Sequence, residues 1–168
     1  MKIRLLLCAL LPFLVSSCIG FNFGEDDEPN ISQSNYTAQI MDRAVFESSV
    51  QLLPPIDVEK SGKIYIMDHL MVVNDVNKGF HIYNYANPQL PTPIAFLQMP
   101  GATDVAMRGD KMYINQAVDL VTIRYNKVEN TMAIESRSEN VFPQKIAPDF
   151  SYTDLNPNEI IVNWTLNN

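Results

Sequence analysis

The sequence contains few of the residues from which catalytic and metal sites are usually built. Among its 168 residues are only two cysteines and two histidines. No Gly-x-Ser-x-Gly nucleophile motif occurs, and neither a cysteine cluster nor a helical pair of histidines with metal-ligand spacing is present. His69 and His81, together with Asp68 or Asp75, are the one conceivable metal set, but we interpret them as structural. We therefore expect no enzymatic activity, no metal and no cofactor.

Basic residues are also scarce. The chain has 12 Lys and Arg against 19 Asp and Glu, a formal charge of −7 that becomes −9 without Lys2 and Arg4 of the opening segment. Nucleic-acid binding depends on clustered cations that neutralise phosphates. An acidic chain without such clusters is therefore not expected to bind nucleic acid.

The only long apolar run opens the chain. Lys2 and Arg4 precede Leu5 to Val15, which is too short to span a bilayer as a helix, and small residues follow. Residues 1–17 are therefore predicted to be a secretory signal.

The segment up to Cys18 resembles a bacterial lipobox, which implies that the Cys18 thiol carries a diacylglyceryl group. Cys8 leaves with the signal, so the mature domain is expected to have no disulfide. An ordinary cleavable signal with an incidental cysteine is the alternative.

An acidic run follows the predicted lipidation site. Glu25, Asp26, Asp27 and Glu28 lie in residues 18–40, which we predict to be a disordered tether. This run resembles the export signal of surface lipoproteins of Bacteroidetes, which implies anchoring in the outer membrane with display on the cell surface. The periplasmic leaflet is the alternative location.

One short helix is predicted, in residues 41–53. Asp42 can cap its amino end, and Val45, Phe46 and Val50 lie on one side. We expect that side to pack onto the first repeat unit described next. Pro54 and Pro55 end the segment.

Residues 54–168 are predicted to be all-β, because they contain a repeat of about 40 residues. Met71-Val-Val-Asn74 corresponds to Met112-Tyr-Ile-Asn115, and Phe80–Tyr85 corresponds to Leu120–Tyr125. The first unit is predicted to contain four strands: Lys63–Met67, His69–Asp75, Gly79–Tyr85 and Ile94–Met99. Four short strands in a repeat of this length are typical of a propeller blade. A plain antiparallel meander is the alternative.

Part of this repeat is similar to a known family. The segment Gly79-Phe-His-Ile-Tyr-Asn-Tyr-Ala-Asn-Pro88, the Pro100-Gly101 turn and Asp104-Val-Ala106 resemble the LVIVD-type repeats of bacterial surface propellers. The similarity covers about residues 62–143. It implies an incomplete β-propeller-like array of about two four-stranded blades. Asn84, Arg124 and the Asn126-Lys127 turn depart from the family pattern.

Two blades and a final strand, Glu159–Trp164, are too few to close a propeller. Three explanations remain open: the chain is the front of a longer protein, the blades complete one another between subunits by self-association, or the two sheets form a small sandwich.

Tyrosines on the repeated strands are the best candidates for a binding face, because tyrosine is favoured at interfaces. They are Tyr83, Tyr85, Tyr113 and Tyr125. We therefore predict a membrane-anchored, extracytoplasmic lipoprotein whose β-repeat domain binds a protein or glycan. The alternatives are a truncated part of a longer propeller enzyme or accessory hydrolase, and a truncated copy without function.

Overall fold

Strands account for most of the residues that the structure describes. A computed structural model describes residues 34–167, in which eleven strands and one helix occur. The strands are β1 (Tyr36–Asp42), β2 (Gln51–Leu53), β3 (Ser61–Met67), β4 (Leu70–Asp75), β5 (Gly79–Asn84), β6 (Thr92–Gln98), β7 (Ala102–Arg108), β8 (Lys111–Gln116), β9 (Asp119–Asn126), β10 (Thr131–Ser138) and β11 (Glu159–Leu166), and the helix is α1 (Arg43–Ser48). The prediction of an all-β domain is confirmed.

The strands form three antiparallel sheets. The first sheet has the order β2-β6-β5-β4-β3, the second sheet has the order β10-β9-β8-β7, and the terminal ribbon pairs β1 with β11. Within the described residues none of these sheets closes into a barrel. The four strands predicted for the first unit are β3 to β6, so that prediction is confirmed with small shifts at the strand ends.

Tight turns determine the hairpins of the first sheet. Asn77 adopts a left-handed conformation with φ of 61°, and Gly79 has φ of 149°. A Cβ on Gly79 would lie only 2.0 Å from the Leu97 carbonyl oxygen of the paired strand. Only glycine therefore fits here, and this position aligns β5 against β6.

The hydrophobic core lies between the first and second sheets, which pack face to face. Alternate side chains of both sheets point into it, as expected for strands with one buried face. The first sheet contributes Leu70, Val72, Phe80, Ile82 and Leu97, and the second sheet contributes Val105, Met112, Ile114, Val121, Ile123 and Tyr125. Ile82 and Ile114 are fully buried.

Residues 54–60, the strap segment, are joined to the first sheet by a buried carboxylate. Asp75 accepts hydrogen bonds from the backbone N–H groups of Glu59 at 3.0 Å and Lys60 at 3.1 Å. Its Oδ2 also lies 3.0 Å from Nε2 of His81, whose ring packs against Phe96 with centroids 4.7 Å apart and planes tilted by 43°. His81 is therefore satisfied in the interior, as a structural histidine would be.

The terminal ribbon corrects two predicted boundaries. The tether predicted for residues 18–40 is wrong at its end, because β1 begins at Tyr36. The helix predicted for residues 41–53 spans only Arg43–Ser48, between β1 and β2. Asp42 does cap it, since its side chain accepts a hydrogen bond from the Ala44 N–H at 2.9 Å. The final predicted strand is confirmed as β11, but the sequence pattern did not indicate that it pairs with β1.

Helix α1 packs differently from the prediction. Phe46 is fully buried, but it lies with Ala117 and Val118 of the second sheet's β8–β9 turn and with Ile160 and Val162 of β11. The expected packing of Phe46 on the first unit is therefore wrong. Val50 does join the main core, and Val45 is 56% exposed.

An ion cluster lies beside Phe46. The fully buried carboxylate of Asp119 pairs with Arg43 at 2.6 Å and Arg137 at 2.7 Å, and accepts the Asn140 N–H at 3.0 Å. Both guanidinium groups also lie over the Phe46 ring, 5.7 and 5.3 Å from its centroid. The cluster therefore links helix α1 to strands β9 and β10 of the second sheet. Removing Asp119 would leave both guanidinium groups without this partner.

Candidate functional site: a methionine groove at one end of the sheets

A groove of about 490 Å³ opens where the inter-sheet core ends. Three hairpin tips surround it, those of β3–β4, β7–β8 and β9–β10. We call it the methionine groove, and its lining residues are Met67, Asp68, Leu70, Met107, Gly109, Asp110, Lys111, Met112, Arg124, Tyr125, Asn126, Lys127 and Val128. Its size is that of a site for a small molecule or a short peptide segment.

The floor of the groove is apolar and continuous with the core. Leu70, Met112 and Tyr125 are buried members of the core cluster, and Met67 and Met107 are half-buried. Methionine is unbranched and polarisable, so a surface rich in methionine can adapt to different apolar groups. The floor is therefore suited to an apolar side chain rather than to a fixed polar group.

The rim of the groove is charged and exposed. Arg124 pairs with Asp110 at 3.5 Å and with Glu135, and Lys111 pairs with Glu135 at 2.6 Å. The hydrogen bond to Lys111 is the main cause that holds the pKa of Glu135 below its usual value. Lys127 forms no ion pair with any side chain in residues 34–167, so the rim carries one cation free to meet a ligand anion.

Backbone conformation shapes the hairpin tips on the rim. Asp68 has φ of 53° and Gly109 has φ of 63°, both in the left-handed region. Nothing lies within 4 Å of a Cβ built on Gly109, so space does not require glycine there. The turn conformation favours it instead.

The four tyrosines predicted to form a binding face do not share one surface. Tyr125 lies in the groove floor, where its hydroxyl donates a hydrogen bond to Asn130 Oδ1 at 2.8 Å and burial raises its pKa. Tyr83 lies on the outer face of the first sheet, beside the strap segment. Tyr113 alternates with buried Met112 and Ile114, so it lies on the outer face of the second sheet. Tyr85 follows β5 and donates its backbone N–H to the His69 carbonyl at 2.7 Å.

The histidines and aspartates that were considered for a metal are separated in the structure. His81 pairs with Asp75, whereas His69 and Asp68 lie at the β3–β4 turn. Across residues 34–167 no group of three or more His, Cys, Asp or Glu side chains is arranged to hold a metal ion.

A third polar cluster joins the edge strands of the two sheets. Asp104 of β7 pairs with Lys63 Nζ at 2.7 Å and accepts the Tyr65 hydroxyl, both on β3. The hydrogen bonds from Lys63 and Tyr65 lower the pKa of Asp104, and burial is the main cause that raises the pKa of Tyr65. With all three groups satisfied by one another, the cluster is suited to holding the sheets together.

Two methionines of the groove occupy equivalent positions of the sequence repeat. Met67 and Met107 lie 40 residues apart, near the ends of β3 and β7, which are the first strands of the two four-stranded meanders. Equivalent positions of packed repeats lie at the same end of the molecule. The spacing of these methionines therefore indicates the groove, whereas only one of the four predicted tyrosines, Tyr125, lies in it.

Comparisons with known proteins do not identify the chain: no protein-family model matches it, and no significant match was found among curated proteins or solved structures. The similarity to LVIVD-type repeats therefore stays a prediction. Cys18 and Glu25–Glu28 lie outside the described residues. None of the helices in residues 34–167 has the length and apolar character to cross a bilayer.

Proposed function

We propose that the chain is a lipid-anchored, extracytoplasmic binding protein that holds an apolar segment of a protein partner in the methionine groove. The observation that carries the proposal is the groove itself, with its methionine floor and charged rim. Apolar pockets with a few convergent polar groups are the usual form of a binding site.

A protein partner is favoured over a glycan by the chemistry of the floor. Sugars are usually bound by exposed aromatic platforms and dense hydrogen bonding, but Tyr125 is 4% exposed and its hydroxyl is already bonded to Asn130. Met67, Met107 and Leu70 present mainly apolar surface. A peptide with an apolar anchor and a neighbouring carboxylate for Lys127 fits this arrangement best.

We also propose that the first and second sheets correspond to two consecutive blades of a propeller-like array. The first sheet contains the meander β3-β4-β5-β6, and the second sheet is the meander β7-β8-β9-β10. The edge strands β3 and β7 lie next to each other, joined by Asp104. Successive four-stranded meanders packed in this way are what two consecutive propeller blades require.

Selection from a random peptide library tests the proposed ligand class. We expect peptides selected on the mature chain to contain an apolar residue near an acidic one. Met107→Lys would place a charge in the floor and should weaken their binding by at least about tenfold, which is the effect of losing a typical interface anchor. Ile56→Lys is the matched control, because Ile56 is 48% exposed on the strap segment, away from the groove. Equal effects of both variants would contradict the proposal, as would glycan-array binding that depends on Met107.

The anchor is tested separately. The amino-terminal peptide of protein purified from its own membranes should begin at Cys18 and carry the added mass of acyl chains, and Cys18→Ser should release the protein from membranes. Replacing Glu25–Glu28 by alanine should remove protease accessibility in intact cells if the run directs surface display. Unchanged membrane partition of Cys18→Ser would rule out the anchor, and retained accessibility would rule out the display signal.

A further inference from the structure

Two aromatic side chains project into solvent from one turn near the carboxyl end of the described residues. Phe150 is 86% exposed and Tyr152 is 87% exposed. Phe150 adopts φ of 61°, a conformation that is unfavourable for a bulky residue, and its N–H bonds to the Ala147 carbonyl at 2.9 Å. We call residues 147–152 the aromatic turn. Both rings of this turn are left uncovered by the rest of the described residues.

Asp149 fixes this turn. Its carboxylate accepts the Ser151 hydroxyl at 2.6 Å, the Ser151 N–H at 3.1 Å and the Asn35 N–H at 2.9 Å. The Ser34 hydroxyl also donates to it at 3.2 Å. These bonds lower the pKa of Asp149 to about 2, and the bond from the Ser151 hydroxyl has the largest effect. The carboxylate is therefore ionised at neutral pH, and its hydrogen bonds hold the turn in this conformation.

The partners of Asp149 place the aromatic turn where the predicted tether joins the domain. Ser34 and Asn35 are the first two described residues and follow directly on residues 18–33. A segment of that length spans at most about 55 Å when extended, and a flexible chain of that length averages about 22 Å end to end. A lipid on Cys18 would therefore keep this end of the domain within reach of the bilayer.

A further exposed apolar side chain lies at the same end. Leu166 is 62% exposed and pairs with Tyr36 in the terminal ribbon, next to the hydrogen bond from the Asn167 N–H to the Asn35 carbonyl at 2.8 Å. Phe150 and Tyr152 thus adjoin residues bonded to Ser34 or Asn35, and Leu166 pairs with Tyr36, so all three belong to the end of the domain at which the tether begins. The methionine groove is formed by other hairpin tips and does not include any of these residues.

We propose that Phe150, Tyr152 and Leu166 form a second membrane contact, which inserts into the headgroup–acyl boundary of the bilayer that holds the Cys18 lipid. Aromatic side chains favour this boundary, since their rings are apolar while a tyrosine hydroxyl stays in water. Because the chain is net acidic, the contact must be made by apolar insertion rather than by attraction to anionic lipid. The inference rests on the lipid anchor proposed above, and it orients the domain on the membrane.

Depth-dependent fluorescence quenching tests the contact. Cys18 is the only cysteine in residues 18–168, so a maleimide lipid attaches the mature chain to vesicles whether or not cells lipidate it. Phe150→Trp in a Trp164→Phe background supplies a single tryptophan, and Val128→Trp in the same background is the matched control, since Val128 is 88% exposed on the groove rim. The vesicles contain phosphatidylethanolamine, phosphatidylglycerol and phosphatidylcholine brominated on its acyl chains.

We expect brominated lipid to quench the tryptophan at position 150 and to leave the tryptophan at position 128 unquenched. The emission of the former should shift to shorter wavelength, and the quenching should persist when salt screens electrostatic attraction. Absence of quenching at position 150, or equal quenching at both positions, would overturn the inference. Tyr152→Ala with Leu166→Ala, which keeps the introduced tryptophan, should reduce the quenching. A native protein that lacks acyl chains, by contrast, would refute the anchor and leave this result unaffected.

Discussion

At the scale of single residues, Asp75 connects the first sheet to the strap segment through charge-assisted hydrogen bonds. Burial by itself would raise its pKa, but the bonds from the Glu59 backbone, His81 and the Lys60 backbone lower the pKa below the usual value of 3.8. The unfolded chain therefore binds a proton at Asp75 at a higher pH than the folded chain does. Stability due to Asp75 is present above the unfolded pKa and is lost as the pH falls through the folded pKa.

Asp75→Asn should make the protein less stable at neutral pH and less sensitive to acid. The loss at neutral pH should be about 1.5–3 kcal/mol, the value of hydrogen bonds to a charged group. Urea midpoints measured from pH 6 down to pH 3 should then fall less steeply than those of the unmodified protein. Asp110→Asn is the control, since its carboxylate is exposed and weakly paired. A pH slope for Asp75→Asn equal to that of the unmodified protein would contradict the assignment.

Aspartates beside turns differ in how far along the chain the backbone amides that they bond lie. Asp104 accepts its neighbour Val105 N–H at 2.9 Å, whereas Asp75 and Asp119 bond amides 15 or more residues away. Local turn chemistry is readable in a sequence because both partners are adjacent. The distant partners follow from how the sheets fold, so no local pattern could indicate them.

At the scale of elements, helix α1 depends on its packing. With six residues it is too short to be stable alone. Phe46 anchors it between Val118 of the second sheet and Ile160 of the terminal ribbon, under the two guanidinium groups paired with Asp119. The helix therefore joins the ribbon to the second sheet, although it precedes the first sheet in the chain.

Phe46→Ala should destabilise the protein by about 3–5 kcal/mol, because it leaves a cavity in a fully buried site. Val45→Ala, one position away on the same helix and 56% exposed, should change stability by no more than about 0.5 kcal/mol. Urea unfolding curves of the two variants give the comparison. Similar small losses in both would show that the helix does not join the ribbon to the second sheet.

The hairpins could be predicted from sequence and the terminal ribbon could not. Strands β3 to β6 are bounded by Asn, Gly and Pro turns that lie next to them in the chain. Strand β1 alternates weakly, with a half-exposed Ile40, and resembles a polar linker. Its strand character comes from β11, which lies more than 100 residues later, and tertiary pairing of that kind overrides local propensity.

At the scale of the whole molecule, one core connects both large sheets. Buried side chains of the first and second sheets form one cluster, the Asp104 pairs link the edge strands of the two sheets, and the Asp119 pair with Arg43 links helix α1 to the second sheet. The sequence predicted two four-stranded units but not the sharing of one core, because periodicity within a strand shows which residues are buried and not what covers them.

Because this core joins the two large sheets and helix α1 joins the terminal ribbon to the second sheet, residues 34–167 should unfold as one cooperative unit. The single tryptophan, Trp164, reports on the terminal ribbon, and far-UV circular dichroism reports on all strands. Urea transitions followed by the two probes should coincide, as two-state unfolding requires.

Ile82→Ala in the first sheet and Ile114→Ala in the second should each lower the free energy of unfolding by about 2–5 kcal/mol, whichever of the two probes is used. Val128→Ala, at an exposed position, should leave both unchanged. If Ile82→Ala displaced the circular dichroism transition while the tryptophan transition stayed in place, the ribbon and the first sheet would be independent units. The shared core and helix α1 would then not couple them.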